Sequence, residues 1–163
     1  MRKRVIQTAA TALLLLASGI ASAAADLEVK RQVNLAASKD TVWKLLGGFN
    51  HIDVWHPAVI DSRLREQGRI RVLTLGNGAK IVERQLDGKN NSYSYTITQS
   101  PLPLSNYVAT IRIEATGEQS SRVVWSSKFQ ANGVEDKEAS KIVAGIYEAG
   151  LSQLGKIFGM PKP

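Results

Sequence analysis

EASKIVAGIYEAGLSQLGKIF, residues 138–158, has the clearest periodicity in the sequence. Its apolar side chains recur every three or four residues, which is the spacing of one face of an α-helix. That face consists of Ala139, Ile142, Val143, Ile146, Tyr147, Leu151, Leu154, Ile157 and Phe158. The pattern predicts a long C-terminal helix that packs one face against the rest of the protein.

Three glycines, Gly145, Gly150 and Gly155, interrupt this segment, and each costs roughly 1 kcal/mol relative to alanine in a helix interior. Gly150 lies on the apolar face, where a larger side chain would normally fill the gap to a neighbouring element. Two interpretations stay open. Either the helix packs very closely at Gly150, or the glycine leaves room for a ligand.

The residues before this helix have the pattern of β-strands. Apolar and polar residues alternate from Asp26 to Leu35, as in a half-buried strand. Further strands are predicted over residues 59–66, 69–75, 80–86, 92–99, 107–114 and 122–129. The connections are short, with turns at Gly76-Asn77-Gly78 and Thr116-Gly117-Glu118 and a stiff loop at Pro101–Pro103. Such connections predict an antiparallel sheet.

A short helix is predicted after the first strand, because Ser38 can cap it and Gly47-Gly48 can end it. A compact stretch, Phe49–Pro57, then leads into the second strand. The predicted fold class is α+β, a helix-grip fold in which a curved seven-stranded antiparallel sheet wraps around the long C-terminal helix. A helix held in a curved sheet leaves a cavity, and such pockets are mostly apolar with a few polar groups.

The first 23 residues have the order of a secretory signal peptide: basic Arg2-Lys3-Arg4, an apolar run, and small residues at Ala21-Ser22-Ala23. We expect cleavage after Ala23, which leaves residues 24–163 as a single domain, periplasmic or secreted. An uncleaved anchor is the alternative, because the apolar run approaches the roughly 17–25 residues that span a bilayer. Cleavage implies no stable membrane insertion of the mature protein.

The composition excludes several classes of site. The chain has no cysteine, which excludes disulfides, thiol nucleophiles and thiolate metal ligands. Removing Arg2, Lys3 and Arg4 with the signal peptide lowers the formal charge from +7 to +4, and no dense basic run remains, so nucleic acid is not an expected partner. His51 and His56 are the only histidines, and neither a metal nor another cofactor is expected.

A series of short motifs follows along the chain: Val42–Leu46, Phe49-Asn50, Trp55–Val59, Arg71, Gly78, Glu83-Arg84, Pro101–Leu104, Asn106-Tyr107 and Gly145–Leu151. In this order and spacing the sequence resembles the polyketide cyclase/dehydrase-like branch of the START-type (SRPBCC) superfamily. The resemblance covers nearly the whole mature chain. It implies a helix-grip fold around a cavity for a hydrophobic ligand.

Two subgroups of this superfamily are similar to the chain. Plant abscisic-acid receptors share the motifs at Arg71, Glu83 and Asn106, but Ile60 stands where those receptors place a hormone-anchoring lysine, so hormone sensing is not implied. Periplasmic MxaD proteins share the signal peptide and the Trp55–Val59 segment. That resemblance implies a periplasmic dehydrogenase or cytochrome as an alternative partner.

The candidate ligand-binding residues are Trp55, His56, Arg71, Glu83, Tyr95, Pro103, Asn106, Tyr107, Ile142, Val143, Ile146 and Gly150. Glu83 either faces the cavity with Arg71 as its partner or forms a solvent-exposed cross-strand pair. His56 is either a hydrogen-bond donor in the pocket or a structural histidine that holds its loop.

The aromatic candidates either line the cavity or build the core, and Trp125 is assigned to the core. Asn106 is expected to hold the proline loop through side-chain-to-backbone hydrogen bonds.

The sequence therefore predicts periplasmic binding of a small hydrophobic or amphipathic molecule, lipid-like or polyketide-like. One alternative is an MxaD-like accessory protein that assists contact between a dehydrogenase and a cytochrome. The other is a cyclase or dehydrase in which His56, with Glu83 or Asp53, supplies acid–base chemistry.

Overall fold

The computed structural model describes residues 26–161. The predicted signal peptide and its cleavage site lie outside the described residues. The strands are Leu27–Leu35 (β1), Val59–Arg65 (β2), Ile70–Leu75 (β3), Lys80–Lys89 (β4), Ser92–Gln99 (β5), Leu104–Gly117 (β6) and Ser120–Ala131 (β7). The helices are Lys39–Leu46 (α1), Ile52–Trp55 (α2) and Asp136–Phe158 (α3).

The seven strands form one antiparallel sheet in the order β1-β7-β6-β5-β4-β3-β2. Strands β2 to β7 form a meander, and β1 extends the sheet by pairing with β7. The long helix α3 packs against this sheet, and a single apolar core lies between them. The α+β helix-grip prediction is confirmed.

The first helix forms as its sequence predicts. The Ser38 hydroxyl accepts a hydrogen bond of 3.3 Å from the Thr41 backbone N–H, which satisfies a free donor at the helix start. The Gly47 N–H then donates to the Trp43 carbonyl over 2.7 Å at the helix end. Helix α2 was not expected within the compact stretch, and its Ile52 and Trp55 side chains are both buried. Packing of these two side chains stabilises a four-residue helix that is too short to form alone.

Strand β6 is longer at both ends than predicted. It begins at Leu104, three residues before the predicted start, and a β-bulge lies between Ser105 and Val108, where Asn106 has a φ of 52°. At the other end Gly117 still pairs with Ser120, so the turn that was predicted at Thr116–Glu118 begins after Gly117. Strong pairing with β7 extends the strand through turn-forming residues.

The buried face of α3 matches the predicted apolar face at Ala139, Val143, Tyr147, Leu151 and Leu154. Ile157, predicted on this face, is exposed because it lies in the last turn of the helix. Among residues 26–161, no helix combines the length and the apolar character required to cross a bilayer.

Candidate functional site

A cavity of about 210 Å³ lies between the sheet and the first half of α3. Its lining residues are Ile52, His56, Ala58, Val59, Leu73, Leu75, Ile81, Glu83, Tyr95, Ile97, Leu102, Leu104, Tyr107, Trp125, Ile142, Val143 and Ile146. Most of this surface is apolar, and the polar groups come from side chains on β4 to β7 and from His56. A cavity of this composition suits an amphipathic molecule.

The cavity brings together seven of the candidate residues: His56, Glu83, Tyr95, Tyr107, Ile142, Val143 and Ile146. The other candidates do not line it. Trp55 and Gly150 belong to a packed cluster beside it, Arg71 lies behind Glu83, and Pro103 and Asn106 lie on the loop and bulge next to it.

Glu83 and Arg71 form a buried ion pair, and the alternative of a solvent-exposed pair is wrong. Residues 71 and 83 are directly opposite each other on β3 and β4, and Arg71 Nε donates to Glu83 Oε2 over 2.5 Å. Arg71 is fully buried and Glu83 is only 5% exposed. Within the described part of the chain, no group donates a hydrogen bond to Glu83 Oε1. Glu83 thus carries a free acceptor into the cavity lining.

The surroundings of Arg71 keep its charge in place. Its Nη1 donates to the Phe49 carbonyl, and its guanidinium carbon lies 4.2 Å from the centre of the Phe49 ring and 5.0 Å from that of Tyr95. Burial by itself would lower the pKa of Arg71, but the Glu83 carboxylate and the neighbouring tyrosines raise it overall. Arg71 is therefore a permanent cation that holds Glu83 in a fixed position.

Three tyrosine hydroxyls and one indole form a second buried polar group. The Tyr107 and Tyr147 hydroxyls share a hydrogen bond of 2.5 Å, and Trp125 Nε1 donates to the Tyr95 hydroxyl over 3.0 Å. The Trp125 and Tyr147 rings stack with their centres 4.2 Å apart. Burial raises the pKa of Tyr95 and of Tyr107 well above the usual range, so both hydroxyls stay protonated. Neither tyrosine can act as a base near neutral pH.

The ring of His56 is a structural link between its loop and α3. Its Nδ1 accepts a hydrogen bond of 3.2 Å from the Ala58 backbone N–H, so the proton lies on Nε2, which donates to the Ile146 carbonyl over 3.0 Å. Burial lowers the pKa of His56, although the bond to Ile146 opposes this effect. Both nitrogens of the neutral ring are engaged, so the structural reading of His56 is confirmed.

Gly150 is explained by close packing, and the interpretation that it leaves room for a ligand is wrong. A Cβ at this position would lie 2.7 Å from His56 Cδ2 and 3.0 Å from ring atoms of Trp55 and Trp125. These aromatic rings pack directly against the helix backbone at Gly150. Trp55 is consequently a core residue beside the cavity.

One further expectation is corrected, and the position of Ile60 is established. The Asn106 side chain is exposed and donates to the Gln130 side chain over 2.8 Å, so it does not hold the proline loop through the backbone. Ile60, at the position compared with the hormone-anchoring lysine, is 64% exposed and lies outside the cavity, which the adjacent Val59 lines.

Of the acid–base set considered for an enzyme, His56 and Glu83 line the same cavity. Asp53 is exposed on α2 and does not line the cavity, whereas His56 is committed to two backbone groups. In the part of the chain that the structure describes, no three His, Asp or Glu side chains lie close enough to hold a metal ion.

Several lining residues were missed by the sequence reasoning. Trp125, assigned to the core, lines the cavity, and so do the strand residues Leu73, Leu75, Ile81 and Ile97. The signal was present in the alternation of the strands, because Leu73 and Leu75 lie on the same face as Arg71, and Ile81 lies on the same face as Glu83.

Comparisons with known proteins agree with this architecture. Residues 26–159 match the model of the family described as polyketide cyclase / dehydrase and lipid transport. Among functionally curated proteins, none matches the chain.

Two solved structures combine sequence and fold similarity. XoxI from Bacillus cereus is 35% identical with a TM-score of 0.79, over 80% of this chain and 94% of that protein. A protein from Bacillus thuringiensis is 36% identical with a TM-score of 0.80, over 81% and 98% of the two chains.

The Zhui aromatase/cyclase from Streptomyces is 18% identical over 81% and 93% of the two chains, with a TM-score of 0.67, and is similar in fold alone. The family match covers both the sheet and α3, the two elements that enclose the cavity. The chain therefore belongs to the polyketide cyclase / dehydrase and lipid transport family.

Proposed function

We propose that this protein binds a small amphipathic molecule in the cavity between its sheet and α3. The observation that carries the proposal is the free Oε1 of Glu83, a carboxylate only 5% exposed in the lining of an otherwise apolar cavity. Glu83 Oε1 is not one of the fully buried unpartnered atoms of the described residues, so a ligand that supplies a hydrogen-bond donor can reach it.

The lining favours a neutral ligand head with a hydroxyl or an N–H group. Such a head can donate to Glu83 Oε1 and accept from a neighbouring tyrosine hydroxyl. None of the described lining residues carries a positive charge, and Arg71 is already paired with Glu83. An anionic head would therefore be repelled by the carboxylate without a free cation to hold it.

Binding is favoured over acid–base catalysis by the engagement of His56. A general base must reach the reacting proton with a free lone pair, and the only acceptor nitrogen of this ring already receives the Ala58 N–H. Glu83 is the one carboxyl side chain among the described lining residues, and that lining holds no second carboxyl or free imidazole to exchange protons with it.

The test is native mass spectrometry of the mature protein isolated from its own periplasm, followed by organic extraction. We expect a reproducible apolar adduct, on a chain whose mass begins at Ala24 because of the predicted cleavage. A mass that still contains residues 1–23 would contradict the predicted cleavage after Ala23.

A matched pair of variants locates the adduct. Leu75 lines the cavity on β3, whereas Leu86 on β4 is 52% exposed. Leu75→Phe fills part of the cavity and should reduce the bound fraction about tenfold or more, while Leu86→Phe should bind like the wild type. A ligand-free mass with a co-purifying dehydrogenase or cytochrome would instead support the accessory role.

A further inference from the structure

A groove on the outer side of α3 lies next to the cavity. Its apolar floor is formed by Ala58, Ile142, Gly145, Ile146 and Ala149, and its volume is about 840 Å³. His56, Ala58, Ile142 and Ile146 line both the groove and the cavity. The two spaces are therefore separated by a wall that is only one layer of side chains thick.

Gly145 keeps the middle of this groove open. A Cβ at Gly145 would meet no side chain or neighbouring element within 4 Å, in contrast to Gly150, where rings lie at 2.7 to 3.0 Å. Packing thus explains one helix glycine and leaves Gly145 unexplained. An exposed glycine within a helix is unfavourable, so space above the helix backbone is the property that this residue provides.

The cavity alone is small for a ligand of the proposed kind. A volume of about 150 Å³ accommodates benzene, and ligand pockets usually measure about 300–1,000 Å³. The 210 Å³ of this cavity therefore suits the head of a ligand and a few further atoms. A longer part of the molecule needs further space, and the groove lies directly beyond the side chains that line both spaces.

We infer that the cavity and the groove form one binding site for a single-chain amphiphile, with the polar head at Glu83 and the apolar tail lying over Gly145. This inference rests on the proposed function and adds the shape of the ligand to it. The tail leaves between His56 and the Ile142 and Ile146 side chains, where rotamer changes of the isoleucines open the wall. The rim carries Glu135, Glu138, Lys137 and Lys141, which balance in charge and favour an uncharged tail over an ionic group.

The test is a calorimetric titration with 4-alkylphenols, from phenol to 4-octylphenol, each kept below its solubility limit. The phenol hydroxyl supplies the donor for Glu83, and the alkyl chain supplies the tail. In the wild type, each methylene added beyond the capacity of the cavity should lower the Kd about fourfold, because it buries apolar surface in the groove.

Gly145→Leu blocks the groove, and Ser152→Leu is its matched control. Ser152 is exposed, lies about two turns further along α3 and does not line the groove. In Gly145→Leu we expect phenol and 4-ethylphenol to bind within about twofold of the wild type and 4-octylphenol to bind at least tenfold more weakly. Ser152→Leu should retain the full dependence on chain length.

The outcomes separate the two proposals. If short phenols bind but chain length has no effect, or has the same effect in all three proteins, the groove inference is wrong and the cavity proposal stands. If no phenol of any length binds, both proposals are wrong for this ligand class.

Discussion

The two sides of the cavity differ in how strongly hydrogen bonds and burial hold their side chains in place. On the sheet side, the Arg71–Glu83 ion pair and the tyrosine hydroxyls are buried and held by hydrogen bonds of 2.5 to 3.0 Å. On the helix side, the half-buried side chains of Ile142 and Ile146, together with His56 and Ala58, separate the cavity from the groove. The sheet side fixes the position of polar groups, and the helix side is the part that can open.

The same contrast occurs within α3, between two glycines five residues apart. At Gly150 the helix backbone is covered by aromatic rings, and at Gly145 it faces open space. Identical residues in one helix therefore have opposite roles, one required for packing and one for access. Four changes test this contrast.

The largest effect is expected from breaking the ion pair on the sheet side. Glu83→Leu leaves the Arg71 cation buried without a partner, which should reduce the free energy of unfolding by about 3–5 kcal/mol. Urea denaturation monitored by circular dichroism measures this change in the free energy of unfolding. The double variant Arg71→Met/Glu83→Leu should recover most of the loss, and equal destabilisation of the single and double variants would contradict the unpaired-charge explanation.

A smaller loss of stability is expected when Gly150 is replaced. Gly150→Ala places a methyl group 2.7 Å from His56 Cδ2, and the aromatic rings must shift, which should cost about 1–3 kcal/mol. Thermal unfolding of this variant measures the change. An unchanged or increased thermal midpoint would mean that the rings of Trp55, His56 and Trp125 move freely on the helix.

Acid should destabilise the folded protein by protonating His56, which links its loop to α3. Burial lowers the pKa of His56 in the folded protein below its unfolded value of about 6.5, so the unfolded state binds the proton more readily. Stability should therefore fall as the pH drops below about 6.5, with a slope of at most about 1.4 kcal/mol per pH unit from this group. Urea denaturation between pH 7.5 and 4.5 measures the slope, and the same slope in His56→Gln would assign it to other groups.

The smallest effect is a gain in stability at Gly145. Gly145→Ala improves helix propensity without any contact to relieve, so the free energy of unfolding should rise by about 0.5–1 kcal/mol. Measured beside Gly150→Ala under the same conditions, it should show the opposite sign. A loss of stability at Gly145 would mean that the groove is filled by packing that the structure does not contain.

Much of the fold was predictable because its signals are local. The helical spacing of residues 138–158 predicted α3, the alternation from Asp26 predicted β1, and Ser38 with Gly47 bounded α1. The exceptions depend on distant partners. Helix α2 forms because Ile52 and Trp55 are buried, and β6 continues to Gly117 because β7 pairs with it.

The site was predictable in part for the same reason. Glu83 and Arg71 occupy matching positions on two strands of one hairpin, so their pairing followed from the register. Trp125 and Ile97 were missed as lining residues, because alternation identifies the inward face of a strand but does not indicate which inward residues border a cavity.

The sequence by itself determined the α+β class, the antiparallel order of the strands and the long apolar helix, since each depends on neighbours within a few residues. The tertiary structure alone decided which glycine packs and which stays open, because the atoms that cover Gly150 come from α2, from His56 directly after it, and from β7. It also decided the contacts of His56, whose Nε2 donates to a carbonyl 90 residues away in the chain. Contacts over such separations depend on how the sheet curves around α3, and no local pattern in the chain encodes that curvature.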